Sequence, residues 1–432
     1  MNEVAPVRVG ILGCGNVGAA LVRALADDGD LVAGRTGVRL EVARVAVRDV
    51  SRSRAVELAP GVLTTDAAAV VADPAVDVVV EVVGGIDPAR ELVLTALAAG
   101  KPVITANKEL LARHGAELFA AAAEAGVDLL FEAAVAGGIP LMRPLRESLV
   151  GERIRRVMGI VNGTTNYVLT RMTEAGSDFA AAVAEAQALG YAEQDPTADV
   201  EGFDAAAKAA IIASIAFGAR VTADDVHREG ITAITADDIA AAGDLGYVVK
   251  LLAVAEARDG AVGVRVHPAM VPVAHPLASV RGSFNAVFIE GSNVGQLMFY
   301  GRGAGGGPTA SAVLGDLIDA AKNLRAGARG ATIGALVDRP IASIADTESR
   351  FYVSLDVIDR PGALAAITGV FGRYGVSIES VRQEGRGEGA RLIFVTHVAR
   401  EADLGATIAE IGGLEVVGRV GSVLRVVGGE DE

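Results

Sequence analysis

The first 140 residues alternate short apolar runs with stretches that are apolar on one side only. VRVGILG at 7–13 is the first run and reads as a buried strand. AALVRALADD reads as the helix that follows it. Further strand-like runs are Val38 to Val47, DVVVEVVGG at 77–85, KPVITAN at 101–107 and DLLFEAAV at 128–135. PARELVLTALAAG and ELLARHGAELFAAAAEAG lie between them with helical spacing. This alternation predicts an α/β domain with a doubly wound parallel sheet over residues 1–140. Right-handed crossovers place the C-terminal ends of all the strands at one edge, so the loops after the strands line a ligand crevice.

From about residue 140 the rhythm changes. RRVMGIVNGTTNYVLTRM reads as strand, tight turn and helix, and an Ala-rich helical region is expected from about 178 to 220. VRVHPAMVP, NAVFIEGSN and GQLMFYGRG read as an antiparallel sheet. Residues 141–300 thus predict a second, α+β domain. GRGAGGGPTASAVLGDLIDAAKNL (about 301–325) is a Gly-rich loop feeding a helix, expected to return to the first domain. Residues 326–350 have weak periodicity and read as a linker. The tail 351–427 has strand-helix-strand-strand-helix-strand order. No fixed-period repeat occurs.

Composition narrows the classes. The chain has 432 residues, 51% hydrophobic, with 39 Lys+Arg against 54 Asp+Glu and a formal net charge of −15. Apolar content is ample for packed cores. The acidic balance argues against nucleic acid and against an anionic membrane surface. Cys14 is the only cysteine, so no intrachain disulfide and no Cys-rich metal site is expected. The start MNEVAPVRVG lacks a signal-peptide pattern, and no uncharged apolar run reaches about 18 residues. The expectation is a cytoplasmic enzyme without a membrane partner. The five histidines form no HxxxH or HxH pair, and GxSxG is absent, so neither a transition-metal site nor a serine hydrolase is expected.

Gly13-x-Gly15-x-x-Gly18 sits between a strand and a helix, where a dinucleotide fingerprint belongs. The first glycine permits the turn, the second lets a pyrophosphate approach, and the third allows close helix packing. The N–H groups at Asn16 and Val17 then face the anion. Cys14 reads as a small packing residue. The second strand ends in Arg48-Asp49, with Arg52 and Arg54 close behind. Asp49 suits a ribose 2′-hydroxyl; Arg48 with Arg52 or Arg54 suits a 2′-phosphate. The arginines favour NADP, with NAD as the alternative.

The richest segment is GYAEQDPTADVEGFDAAAKAAI at 190–211. It holds Glu193, Asp195, Asp199, Glu201 and Asp204, then Lys208 and an apolar run. Asp204 and Lys208 are four residues apart, on one helix face. Only five lysines exist in the chain. A lysine opening an apolar helix beside carboxylates is placed for proton transfer. Lys108, in Thr105-Ala-Asn107-Lys108, follows a predicted parallel strand and should project at the crevice. Ala136-Gly137-Gly138-Ile139-Pro140 joins the domains. Asn162-Gly163-Thr164-Thr165-Asn166 offers helix-start N–H groups to a substrate carboxylate.

These motifs together resemble the homoserine dehydrogenase family with a C-terminal ACT domain. The carriers are GILGCGNVG, VVVEVVGG, TANK, EAAVAGGIPLMRPLRESL, GIVNGTTNYVL, GYAEQDPTADVEGFDAAAKAAI and GRGAGGGPTASAV. The resemblance implies a Rossmann-type first domain and reversible NAD(P)-dependent reduction of L-aspartate 4-semialdehyde to L-homoserine. It implies Lys208 as proton donor with Asp204 beside it, and Lys108 near the reacting oxygen and the nicotinamide. It implies Glu193 for the substrate amino group, with Asp199, Tyr191, Thr164 and Gly163 completing the pocket. Thr105 and Gly305 join the cofactor set. A structural sodium ion is implied at Glu132 and the carbonyls of Val135, Gly137 and Ile139. Gln194 departs from the alanine common among relatives, with little effect expected.

The tail resembles an ACT domain, a βαββαβ ferredoxin-like sandwich that pairs with another copy through sheet edges. Asp359-Arg360-Pro361-Gly362-Ala363-Leu364 opens its first helix, so Asp359, Gly362 and Leu364 are its candidate regulatory residues. Threonine is the expected effector, and a homodimer or homotetramer the expected assembly.

Overall fold

The computed structural model describes residues 5–385 and 389–428; Met1 to Val4, part of the start read for a signal peptide, lie outside them. The apolar runs of the first domain become β1 (Val7–Leu12), β2 (Leu40–Ala46), β3 (Leu63–Thr64), β4 (Val78–Glu81), β5 (Val103–Thr105) and β6 (Leu129–Leu130). They form a parallel sheet in the order β3-β2-β1-β4-β5-β6. Helices α1 (Asn16–Thr36), α2 (Ala67–Ala72), α3 (Ala89–Ala98) and α4 (Lys108–Ala125) make the crossovers. Val9, Ile11 and Val78–Val80 have no exposed surface, because both faces of the sheet are covered.

Some runs shorten into strands of two or three residues. DLLFEAAV keeps only Leu129–Leu130 as strand and then turns into a 3-10 turn at Glu132–Ala134. The reason is the buried Glu132 carboxylate. It accepts N–H groups from Leu141, Met142 (2.8 Å) and Arg143 (2.7 Å), which bends the chain away from the sheet.

The second domain follows as β7 (Ile154–Ile160), α5 (Gly163–Ala175), α6 (Phe179–Ala188), α7 (Thr197–Val200), α8 (Phe203–Phe217), β8 (His227–Arg228), α9 (Ala236–Asp244), β9 (Tyr247–Arg258), β10 (Ala261–Pro272), β11 (Phe284–Gly291) and β12 (Gly295–Arg302). The helical region expected from about 178 to 220 is built of three helices, α6, α7 and α8. Gly190 (φ 75) and Gly202 (φ 78) take left-handed conformations, and Pro196 lacks an N–H; each interrupts the helical ladder. The carboxylate-rich segment occupies those breaks.

Helix α10 (Gly306–Ala326) returns to the first domain. Its buried Val313, Leu317, Ala320 and Ala321 join one core with Leu21, Val22 and Leu25 of α1. The tail supplies β13 (Glu348–Val357), α11 (Ala363–Arg373), β14 (Ile378–Glu384), β15 (Ala390–Thr396), β16 (Ala399–Arg400), α12 (Glu401–Ile411) and β17 (Val417–Val426). Its sheet is continuous with that of the second domain. The order is β12-β11-β7-β9-β10-β17-β13-β15-β14, and β10 pairs β17 in parallel through Ala269↔Arg425 and Met270↔Val426. The segment before the tail lies on the second domain, bridging Ala219↔Val337 and Val262↔Ile341. Among the described residues no helix is long and apolar enough to cross a membrane.

Candidate active site

The glycine loop resolves into three separate requirements. Gly13 has φ 101, and a Cβ there would lie 2.8 Å from the Val82 carbonyl oxygen. At Gly18 a Cβ would run into the Gly13 carbonyl, so α1 packs close only with glycine. Gly15 has open space above it, which is where an anion can approach. No side chain caps α1, so its first N–H groups, including those of Asn16 and Val17, stay available. Gly305 (φ 115) starts α10, also without a side-chain cap, and a Cβ on Gly306 would lie 2.9 Å from the Asn16 carbonyl oxygen. Two helix N-termini thus meet at one place, and both dipoles favour a pyrophosphate there. Burial pushes the Cys14 thiol up, so it is no thiolate nucleophile.

Beyond the loop, Arg48 is exposed and has no partner among the described residues. Asp49 is occupied by Ser51, whose N–H (2.8 Å) and hydroxyl (2.6 Å) both donate to it. Arg54 donates to the carbonyls of Asp49, Val50 and Arg52, which folds it into its own turn.

Thr105 is fully buried, and its hydroxyl donates to Glu81 (2.6 Å). The other Glu81 oxygen accepts the N–H groups of Val83 (2.9 Å) and Gly84 (3.1 Å). Asn107 caps α4 by accepting the Leu110 N–H (3.1 Å), and its own backbone N–H donates to the Thr105 hydroxyl oxygen (3.0 Å). Glu81 thereby fixes the loops after β4 and β5 and sets where Lys108 begins α4. Sequence reasoning passed over Glu81. Its signal was a carboxylate inside the apolar run VVVEVVGG.

Lys108 crosses from the first domain and pairs with Asp204 at the start of α8. The other Asp204 oxygen accepts Lys208 Nζ (2.6 Å) and Asn162 Nδ2 (2.9 Å). One buried carboxylate therefore bridges two ammonium groups. Burial pushes the Asp204 carboxyl up, but the fields and hydrogen bonds of Lys208 and Lys108 outweigh it, so it ionises far below the usual carboxylate range. Burial pulls Lys108 down, and Asp204 more than offsets that. Lys208, 8% exposed, also donates to the Val161 carbonyl (2.7 Å). Two of its three N–H donors are thus committed, which leaves one for a substrate oxygen.

Asn162 is the second residue whose importance the sequence did not single out. Its amide nitrogen also donates to Asp199 (2.6 Å), and its oxygen caps α5 by accepting the Thr165 N–H (2.9 Å). Among the described residues the N–H groups of Gly163 and Thr164 at that helix start have no acceptor. Glycine is required at 163, where a Cβ would lie 2.8 Å from the Ser283 carbonyl. Thr164 donates its hydroxyl to the Tyr191 carbonyl (2.7 Å), and the Tyr191 ring packs on Tyr167 at 4.9 Å. Glu193 and Gln194 follow on the exposed loop, their carbonyls held by Gln187 Nε2 at 3.1 Å. The Glu193 carboxylate has no ion pair among the described residues.

The loop after Glu132 carries two successive left-handed residues, Ala136 (φ 58) and Gly137 (φ 52). A non-glycine residue there costs of order 1 kcal/mol. Val135, Gly137 and Ile139 are buried, and their carbonyls accept no hydrogen bond from a described residue. Buried unpaired carbonyls on a curled backbone fit a weakly charged, oxygen-seeking cation. The Glu132 carboxylate itself is filled by the three N–H groups described above, so the side chain braces this loop.

In the tail, Asp359, Arg360, Gly362, Leu364, Thr368 and Gln383 border an open depression of about 420 Å³. Gly362 (φ 91) starts α11 with no side-chain cap.

Comparison with known proteins agrees with this geometry. Residues 13–132 match the NAD-binding domain of homoserine dehydrogenase, 140–318 the homoserine dehydrogenase family model, and 351–416 the ACT domain. A homoserine dehydrogenase of Corynebacterium glutamicum is 52% identical, over 97% of this chain and 95% of its own. The crystal structure of a homoserine dehydrogenase from Thiobacillus denitrificans superposes with a TM-score of 0.93 at 41% identity, covering 98% of each chain. A hyperthermophilic archaeal homoserine dehydrogenase in complex with NADPH has a TM-score of 0.63 at 30% identity, covering 73% of this chain and 98% of its own. A cross-domain pair of lysines on one carboxylate beside a dinucleotide crevice, with these matches along almost the whole chain, makes the protein a member of the homoserine dehydrogenase family, an oxidoreductase that interconverts L-homoserine and L-aspartate 4-semialdehyde with a nicotinamide cofactor.

Proposed function

We propose that Lys208 is the acid–base group of this reaction, that NADP is the preferred cofactor, and that threonine acts through the tail. The observation that carries the first part is the Asp204 bridge between Lys208 and Lys108. The reduced nicotinamide, when bound, supplies hydride to the aldehyde carbon. Lys208 gives a proton to the aldehyde oxygen as it gains charge, and takes it back in the oxidation of homoserine. Asp204 supplies the counter-charge to both ammonium groups and fixes their direction. Lys108 presents a second positive charge to the same oxygen from the cofactor side. The N–H groups of Gly163 and Thr164 receive the substrate carboxylate, and Glu193 with Asp199 receives its ammonium. The carbonyls of Val135, Gly137 and Ile139 would hold a sodium ion, whose contribution is to join the two domains.

The uncommitted Arg48 supports a 2′-phosphate, since Asp49 is spent on Ser51. NADPH is expected to be used at least as well as NADH. Arg48→Ala is expected to raise KM for NADPH about tenfold more than KM for NADH, the loss of one charge-assisted contact. Initial rates with both cofactors check this, and a clear NADH preference in the wild type rejects it.

The uncapped start of α11 suits an amino-acid carboxylate, and Asp359 suits its ammonium. Removing residues 351–432 is expected to leave homoserine oxidation working while abolishing inhibition by L-threonine. The archaeal relative spans only 73% of this chain with 98% of its own length, which supports an enzyme that works without the whole of this chain. A folded but inactive truncation argues against a separable regulatory tail. We further propose a homodimer or homotetramer, because β12 and β14 are uncovered edges of a long sheet. Initial rates with homoserine, both cofactors, and L-threonine present or absent test the whole reading.

A further inference from the structure

The C-terminal domain meets the second domain through one buried ionic junction. Arg425 of β17 donates Nε (2.9 Å) and Nη2 (2.6 Å) to Glu401 at the start of α12. With Nη1 (2.9 Å) and Nη2 (2.7 Å) it also holds Glu229 of the second domain. Its side chain is 7% exposed. Among the described residues the other ion pairs between these domains are Arg391–Asp237, Arg382–Asp244 and Arg258–Glu348; each has at least one partner more than half exposed and contributes little.

Glu229 belongs to a short strap, residues 227–232, that reaches the catalytic helix. The strap lies beside β10 through His227↔Arg265 and Arg228↔Val266. Its guanidinium at Arg228 donates to the Glu201 carbonyl and stacks 3.4 Å over the Phe203 ring. The Ile231 N–H donates to the Val200 carbonyl (2.8 Å), and Thr232 donates to the Glu201 carboxylate (3.0 Å). Gly230 sits so close that a Cβ would lie 2.5 Å from the Val200 carbonyl. A Cβ on Gly202 would lie 3.3 Å from Arg228. The strap therefore clamps 200–203, immediately ahead of Asp204.

We propose that residues 227–232 are the coupling strap through which the C-terminal domain acts on the active site, with Arg425 and Glu229 as its positioning residues. The proposal rests on the regulatory reading above and adds its route. Strand β17 runs from Val417, paired with Val357 at the rim of the tail's depression, to Arg425. A ligand that moves β17 against β10, where only two residue pairs join them, must break the Arg425 arrangement or carry Glu229 with it. A displaced Glu229 shifts the turn that aims Asp204, and with it both lysines. This supplies two arrangements that a ligand can favour unequally, as coupling requires.

The test uses the full-length chain and amide hydrogen exchange without effector. Arg425→Met and Glu229→Gln are each expected to speed exchange about threefold or more in peptides spanning 198–206 and 227–232, with α1 unchanged. Glu229→Gln alters no residue of the C-terminal domain, so it stays decisive if Arg425→Met loosens that domain. Faster exchange at 227–232 with no change at 198–206 overturns the proposal. A second arm adds L-threonine and reads calorimetric binding and inhibition of homoserine oxidation. If the wild type is inhibited, both variants should bind threonine to saturation yet show less than about half of the wild-type inhibition at saturation; unchanged inhibition overturns the strap. If threonine neither binds nor inhibits, the effector reading fails, and the exchange arm alone judges the strap.

Discussion

Lys208→Ala is expected to lower kcat about 10³-fold while leaving KM for NADPH within about twofold, since a positioned proton donor contributes 10²–10⁴ in rate. That corresponds to about 4 kcal/mol of barrier. The asymmetry follows from geometry. Lys208 is on α8, facing Asp204 and Val161, whereas the cofactor loop belongs to β1 and α1. Steady-state kinetics in both directions measure the effect, and thermal unfolding shows whether the variant stays folded. Turnover near the wild-type value would remove Lys208 from the chemistry.

Asp204→Asn should be nearly as damaging, for a different reason. The carboxylate offers one oxygen to Lys108 and the other to Lys208 and Asn162. An amide offers a single acceptor oxygen, and its NH₂ group faces donors. Two ammonium groups then lose their counter-charge, an uncompensated burial worth about 3 kcal/mol or more of stability. The expected fall in kcat is about 10²-fold. The pH profile gives the sharper readout. Burial lowers the Lys108 pKa, and Asp204 is what raises it above the ordinary value. Without Asp204 the main opposition to burial is gone, so Lys108 loses its proton at lower pH. Aldehyde reduction needs the ammonium form, so its high-pH limb should move to lower pH. A rate profile with an unmoved limb would show that Asp204 does not hold these charges.

Both expectations could be framed from the sequence only in outline. The i,i+4 spacing of Asp204 and Lys208 is a local property, because α-helical geometry fixes it wherever the helix forms. The same holds for the glycine loop. Gly13, Gly15 and Gly18 answer to a turn, an open approach and a close contact, all within one strand–helix junction. Such signals survive in a linear reading because the interacting groups are neighbours in the chain. The helical region expected over about 178–220 is helical, but its internal breaks are set by single residues. Alanine content favours helix everywhere, but Gly190, Pro196 and Gly202 decide where it stops.

Glu81 and Asn162 mark where linear reading ends. Each is a buried polar residue whose value lies in partners far along the chain, Thr105 for one and Asp199 with Asp204 for the other. The Arg425–Glu229 junction spans nearly 200 residues and leaves no local pattern at all.

By itself, the sequence determined the element order, the dinucleotide loop, the family, and the face shared by Asp204 and Lys208. Each follows from spacing along one element or from a motif read whole. Only the tertiary structure decided that Lys108 reaches Asp204, that Arg425 reaches Glu229, and that the tail's last strand extends the catalytic sheet. The physical reason is that a charge's partner and solvation depend on distance in space. Chain separation carries no information about that once two segments belong to different elements.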